Sequence, residues 1–213
     1  MNLMIKRLAV LASIGAAACS GSFFQSKVVP PTIYVLSPGA SSAATDAPAA
    51  AIPADLAILK PTLRTGLDSD RIAVLYPDRR LDHFADAGWT APLGDVLQEL
   101  AIQEFQARAH LRTVSGDTSV FTSAYWLEIE VMDFQAEYTS AAAAPTVHVR
   151  LLARVGGSAD RIIIGRFEAD IRRPAAENRL GAIVDAYARA ADAAFADIVA
   201  GVDASLTKAS EAR

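Results

Sequence analysis

Scarcity says most about this sequence at first reading. Among 213 residues there is one cysteine, Cys19, and there are three histidines, His83, His110 and His148. A single thiol rules out an internal disulfide framework, and three histidines so far apart offer none of the short ligand spacings of a zinc site. Positive charge is not in surplus, because 20 Lys and Arg face 24 Asp and Glu for a formal net charge of −4. No basic field draws in a phosphate backbone, so nucleic acid is not an expected partner. No apolar run approaches the roughly 20 residues of a spanning helix. The mean hydropathy of +0.25 therefore reflects the abundant alanine. A Gly-x-Ser-x-Gly elbow and a glycine-rich phosphate loop are also missing, which removes two common catalytic signatures.

What is present is a globular composition, 52% hydrophobic and 21% charged, on a chain long enough for one core and a tail. The N-terminus departs from that average. Lys6 and Arg7 precede the uncharged stretch Leu8 to Ala18, which has the length of a signal-peptide apolar region and is short for a bilayer. Residues 1–18 read as an export signal. Ala16-Ala17-Ala18-Cys19 then admits two outcomes. One is ordinary cleavage that leaves a stray thiol. The other is a bacterial lipoprotein box, which the sequence resembles with Ala16 in place of the usual leucine, and in which Cys19 is acylated and becomes the first mature residue. A thiol consumed in this way escapes wrong pairing in an oxidising compartment, and two or more acyl chains, palmitate included, anchor stably where one does not. Cys19 is thus an expected lipidation site. Ser20 after it resembles the outer-membrane sorting signal of Gram-negative lipoproteins.

Residues 19–31 read as a tether, Thr32 to Leu36 as a short strand, and 38–53 as a flexible Ala-, Ser- and Pro-rich loop. In the alternative reading the tether extends to Pro53. From Ala54 the patterning is that of a folded domain. Strands are expected in "ADLAILKP" and "RIAVLYPD", then a helix through "PLGDVLQELAIQEFQAR" with Thr90 or Ala91 as N-cap and Pro92 in its first turn. Leu93, Val96, Leu97, Leu100, Ala101 and Phe105 form its apolar stripe. A short strand "HLRTVSG" follows. "AYWLEIEVMDF" alternates Leu127, Ile129 and Val131 against Glu128 and Glu130, and "PTVHVRLLARV" puts Val147, Val149, Leu151 and Val155 inward with His148, Arg150 and Arg154 outward. "RIIIGRFEADI" returns across a reverse turn at Gly156-Gly157-Ser158-Ala159-Asp160, with Gly165 as a bulge. A long helix capped at Asn178 carries a stripe from Leu180 to Val202, and residues 206–213 read as a disordered tail. The whole is an α+β fold, a single domain over 32–205 with a mainly antiparallel sheet and two helices packed on one face.

Few groups suggest chemistry. "SGDTS" at Ser115 to Ser119 reads as a polar turn rather than a nucleophile site. Asp78, Asp82, His83 and Asp86 share one neighbourhood in "DRRLDHFADAGW", which reads as a solvated loop leading into a helix before it reads as a cation or acid–base site. Tyr125 and Trp126 open a strand, so alternation turns one of them outward. That residue is the expected partner contact, since aromatic side chains anchor interfaces.

"YVLSP" at Tyr34 to Pro38, "IAVLYPDRRLDHFADAGWTAPLGDVLQELAIQEF", "AYWLEIEVMDF" and "AYARAADAAFADIVAGV" together resemble the ABC-type transport auxiliary lipoprotein family, the PqiC-like lipoproteins of MCE lipid transport systems. The resemblance implies a protein without enzymatic activity or cofactor, anchored on the periplasmic face of the outer membrane. It also implies a role as an auxiliary component of an ABC transport system that moves phospholipids or other hydrophobic molecules across the envelope. An MCE-domain protein is the implied partner, with the membrane engaged through the lipid anchor and homo-oligomers open. Two other classes share these features: a lipoprotein cofactor or anchor of a cell-envelope enzyme, and a direct lipid-binding carrier.

Overall fold

Eleven elements follow one another in the computed structural model, which describes residues 30–39, 52–120, 122–140 and 142–211. Cys19, the export signal, nearly all of the tether and most of the 38–53 loop lie outside the described residues. From Pro31 the chain is one compact unit. The strands are β1 (Thr32–Tyr34), β2 (Ile52–Ile58), β3 (Thr62–Leu63), β4 (Arg71–Leu75), β5 (Leu81–Trp89), β6 (Leu111–Gly116), β7 (Tyr125–Glu137), β8 (Thr146–Gly157) and β9 (Ile163–Pro174). The helices are α1 (Leu93–Arg108) and α2 (Leu180–Glu211).

The period-2 pattern of β7 and β8 becomes a pair of long antiparallel ladders, β7 with β8 and β8 with β9. β4 with β5 is a third antiparallel pair, whereas β1 joins β5, β2 joins β6 and β7, and β3 and β4 join β7 in parallel over short stretches. The sheet is therefore mixed but mainly antiparallel. Leu127, Ile129, Val131, Val147, Val149, Leu151 and Val155 are all buried, so the inward faces lie where the alternation puts them. Both helices cover that inner face. Every residue of the α1 stripe is buried, and on α2 the same holds from Ile183 to Leu206 along the apolar stripe. Removing a phenylalanine such as Phe105 or Phe195 from water contributes about 1.5–3 kcal/mol each. Trp89, Phe134 and Tyr187 meet at the centre with ring centroids 5.1–6.1 Å apart.

Several expectations need correction. "LDHFADAGW" is strand β5, not a solvated loop. It is threaded between β1 and β4, so its polar residues pair through the backbone while Ala87, Gly88 and Trp89 pass inside. A Cβ on Gly88 would lie 2.8 Å from the Asp70 carbonyl oxygen, and the Trp89 amide donates to that same oxygen at 2.6 Å. α1 starts after Pro92, which occupies the N-cap without a side-chain cap, in place of Thr90 or Ala91. The Leu93 amide instead donates to the Ser69 carbonyl at 2.9 Å. Ile52 and Pro53, assigned above to the loop, already belong to β2. The tail expected from residue 206 is helical to Glu211, because Leu206 is buried and holds that turn of α2 to the core. α2 begins at Leu180, and Asn178 before it accepts a 2.7 Å hydrogen bond from the Tyr138 hydroxyl. The extra residue of the β9 bulge is Ile164, one position before Gly165.

Candidate functional site

β7 starts with the two aromatic residues, and the pleat sends them to opposite faces. Tyr125 is buried at 5% exposure, in the core end of the β2–β7 pairing. Trp126 is half-buried on the outer face. Its indole N–H donates to the Gly157 carbonyl at 3.1 Å, and its ring fills the space where Gly156 has no side chain, since a Cβ there would lie 2.5 Å from Trp126 Cζ2. Trp126 pairs with Gly156, which pairs with Ile163. The exposed Ile162 and Ile164 thus flank this row, and an Arg154–Glu128 ion pair at 3.2 Å borders it. The result is an apolar corner with a charged rim, the composition of a small contact surface.

The remaining sequence candidates are engaged structurally. Arg80 bonds Asp82 at 2.8 Å, lies 3.7 Å from Asp78 and sits over the Tyr76 ring. Asp82 and His83 are neighbours on a strand and face opposite sides, and Asp86 is exposed in a left-handed conformation with φ of 51°. Asp78 and Asp82 meet at Arg80, and the four residues form no common site. His110 holds Asp203 through both its amide and its ring Nδ1, tying β6 to α2. Asp117, in the "SGDTS" turn, accepts from Gln98 Nε2 at 3.0 Å. Among the described residues no group of three His, Cys, Asp or Glu side chains is placed to hold a metal. None of the described helices is long and apolar enough to cross a membrane.

A second cluster, not anticipated in the sequence, lies on the outer face of β7, β8 and β9. His148 faces outward as alternation requires, yet it is buried at 5% exposure. Its Nδ1 lies 2.9 Å from Glu137 Oε1 and its Nε2 2.8 Å from Asp170 Oδ1. Arg172 reaches both Glu137 and the His148 ring. Gln135, also buried, donates to Asp133 and Glu137 and accepts from the Phe134 amide. Burial pushes the Glu137 carboxyl up, but hydrogen bonds from His148, Arg172 and Gln135 outweigh it and hold the group below its ordinary value. The only hint in the sequence is that positions 135, 148 and 172 share one row of the sheet, which cannot be read until the register is known.

A family model described as ABC-type transport auxiliary lipoprotein component matches residues 34–199. No curated protein matches the chain. A crystal structure from Xanthomonas campestris is similar, with 23% identity and a TM-score of 0.68 over 85% of this chain and 98% of that one. A hypothetical protein of Chlamydia trachomatis is 11% identical with a TM-score of 0.53, over 73% of this chain and 99% of that one. At these identities the two structures bear on the fold alone.

Proposed function

Because the chain belongs to the ABC-type transport auxiliary lipoprotein family, we propose that it is the lipid-anchored, non-enzymatic envelope component of a transporter whose MCE-domain protein it docks. The cargo in this reading is phospholipid or another hydrophobic molecule moving between the two membranes. One observation carries the proposal: the family match over 34–199 runs from the last residue of β1 well into α2, so most of the folded unit supports the assignment. The residues before it supply the export signal and Cys19, whose acyl chains would hold the domain at the periplasmic face of the outer membrane. An auxiliary dock works by binding, and the apolar corner around Trp126 supports that role. The chain contributes no nucleotide-binding motif, so ATP hydrolysis falls to other subunits.

The test has two arms. The intact mass of the protein from a membrane fraction should start at Cys19 with its lipid attached, and both lipid and membrane attachment should vanish in Cys19→Ala. Affinity capture from mildly solubilised envelopes should recover an MCE-domain protein. Recovery of a cell-wall enzyme in its place would transfer the protein to the class of enzyme anchors, and a soluble, unacylated product would remove the anchor.

A further inference from the structure

Three polar or charged side chains are buried among the described residues, Glu104, Gln135 and His148. Two of them, Gln135 and His148, form the floor of a single cavity of about 290 Å³. It opens where β7 is bulged between Val131 and Asp133. β3 pairs with β7 as far as Val131 and β4 pairs with it from Ala136, so the cavity occupies the gap between those two short parallel strands. Bulges at sheet gaps recur beside binding sites because they re-aim side chains.

The two walls come from different segments and each carries an arginine and a leucine. The loop after β3 brings Arg64 and Leu67, and the β4–β5 turn brings Arg79 and Leu81. Both segments hold left-handed backbone, with φ of 95° at Gly66 and 66° at Arg79. A strained, non-glycine residue of this kind is characteristic of ligand clamps. A Cβ on Gly66 would lie 2.8 Å from Leu81 Cδ2, so the walls touch beside the opening.

Charge at this site is unbalanced. Three guanidinium groups line it, Arg64, Arg79 and Arg172, against the carboxylates of Asp133 and Glu137. Glu137 is taken by Arg172 and His148. Asp133 is held loosely by Arg64 at 3.4 Å and more firmly by Gln135 at 3.0 Å, so Arg64 is free to leave without orphaning it. The Arg79 side chain has no ion-pair or hydrogen-bond partner among the described residues. The surplus is one uncompensated cation at the mouth and a second that is readily released.

We propose that this cavity binds a phosphate group, clasped between Arg79 and Arg64 above the Arg172–Glu137 floor. Two planar guanidinium forks carried on separate segments of one cavity can both be met by an oxyanion with three or more oxygens, whereas a carboxylate satisfies one fork. Leu67, Leu75, Leu81 and Met132 supply the apolar part of the lining and accept a short apolar substituent. The volume is at the lower limit of small-ligand pockets, about 300 Å³, so the site takes a headgroup and not an acyl chain. The phosphate could come from a lipid headgroup or from a free phosphate, and the proposal stands whether or not an MCE-domain protein is captured.

The experiment is calorimetric titration of the full mature chain in non-ionic detergent with inorganic phosphate and, separately, with butyl phosphate. Both should bind, more weakly as salt is raised. Butyl phosphate binding about tenfold more tightly would identify a headgroup as the source, and equal affinities would identify free phosphate. Arg79→Gln should weaken both by about tenfold or more. This side chain has no hydrogen bond or ion pair to lose among the described residues, so the variant should remain folded. Arg189→Gln, on the exposed side of α2, should change nothing. Leu81→Ala should weaken butyl phosphate selectively if a headgroup is the source. Absence of binding by either probe, or Arg79→Gln binding as the unaltered chain does, overturns the proposal.

Discussion

The phenol of Tyr187 donates a 2.7 Å hydrogen bond to the backbone carbonyl of Ala73. This single contact joins the middle of α2 to β4, across a chain separation that no local signal spans. The ring is wedged edge-on against Trp89 at 5.4 Å and tilted over Phe134 at 5.1 Å. Complete burial pushes its hydroxyl well above the usual phenol range, so it remains a donor at every pH the envelope reaches.

Tyr187→Phe keeps the aromatic packing and removes only the hydroxyl, which donates to Ala73 and accepts from the Ala136 amide. It should lower unfolding free energy by about 1–2 kcal/mol, the cost of an orphaned buried carbonyl. Tyr187→Ala should cost about 3–5 kcal/mol because a cavity is added. Urea midpoints at constant slope measure both.

Gly201 lies in the interior of α2, where alanine would ordinarily gain about 1 kcal/mol. Here a Cβ would lie 2.5 Å from Cδ1 and 2.7 Å from Cε1 of Phe167 on β9, so helix and sheet approach at the absent side chain. Overpacking of this kind costs about 1–3 kcal/mol, and Gly201→Ala should be net destabilising by about 1 kcal/mol. Adding Phe167→Leu should recover most of the loss, a coupling that a double-mutant cycle reads directly.

Asp55 on β2 accepts from Arg112 Nε at 2.8 Å and from Thr113 Oγ1 at 2.5 Å. The Arg112 and Thr113 hydrogen bonds hold its carboxyl down from 3.8 to about 2. A depressed carboxylate stabilises above its unfolded value and loses that contribution as pH falls through the folded one. Asp55→Asn should therefore be less stable than the unaltered protein at pH 7, by less than about 1 kcal/mol because solvent reaches the pair. The gap should close between about pH 4 and pH 2, as followed by denaturant midpoints across that window.

Glu104 has the opposite sign. It has no exposed surface, and its Oε1 meets no partner among the described residues. Burial pushes the carboxyl up, the hydrogen bond from Arg108 at 2.6 Å pulls it partly down, and nearby Asp192 adds to the rise. A raised carboxyl gives stability that is complete at low pH and is lost as pH climbs from the unfolded value through the folded one. Glu104→Gln removes this dependence, so its stability relative to the unaltered protein should increase from pH 4 to pH 7. A constant difference across that range would show that Arg108 and the Gly39 amide together offset burial fully.

These residues also show how far the sequence reaches. The β7, β8 and β9 strands and both helices are legible because each turns one face toward the core, fully buried on β7 and β8 and half-buried on β9, and burial writes a period into the chain. β5 is not, because it lies between β1 and β4 with Asp82, His83 and Asp86 along it, and backbone pairing leaves no apolar alternation. The start of α1 is fixed by a tertiary bond from Leu93 to Ser69, which a search for capping side chains does not find. The cluster of Gln135, His148 and Arg172 depends on strand register, as does the cavity above it. At the other end of β7, the aromatic pair is visible in the sequence, while the choice between its members comes only from the pleat.

That choice leads to a specific test of docking. Tyr125 is in the core, so Tyr125→Ala should act through stability and lose about 3–5 kcal/mol. Trp126 is half-exposed beside Ile162 and Ile164, and a tryptophan at the centre of an interface commonly contributes at least about 2 kcal/mol. Trp126→Ala should thus reduce capture of the transport partner by about 30-fold or more, with far-UV circular dichroism unchanged. Trp126→Phe separates packing from the indole bond to Gly157, since it keeps a ring against Gly156 but lacks the N–H. Retained capture in Trp126→Phe would assign the contact to the apolar surface, and loss in both variants would make the braced β8–β9 turn part of it. Full capture by Trp126→Ala would move the docking surface away from this corner of the sheet while leaving the anchor and the family assignment intact.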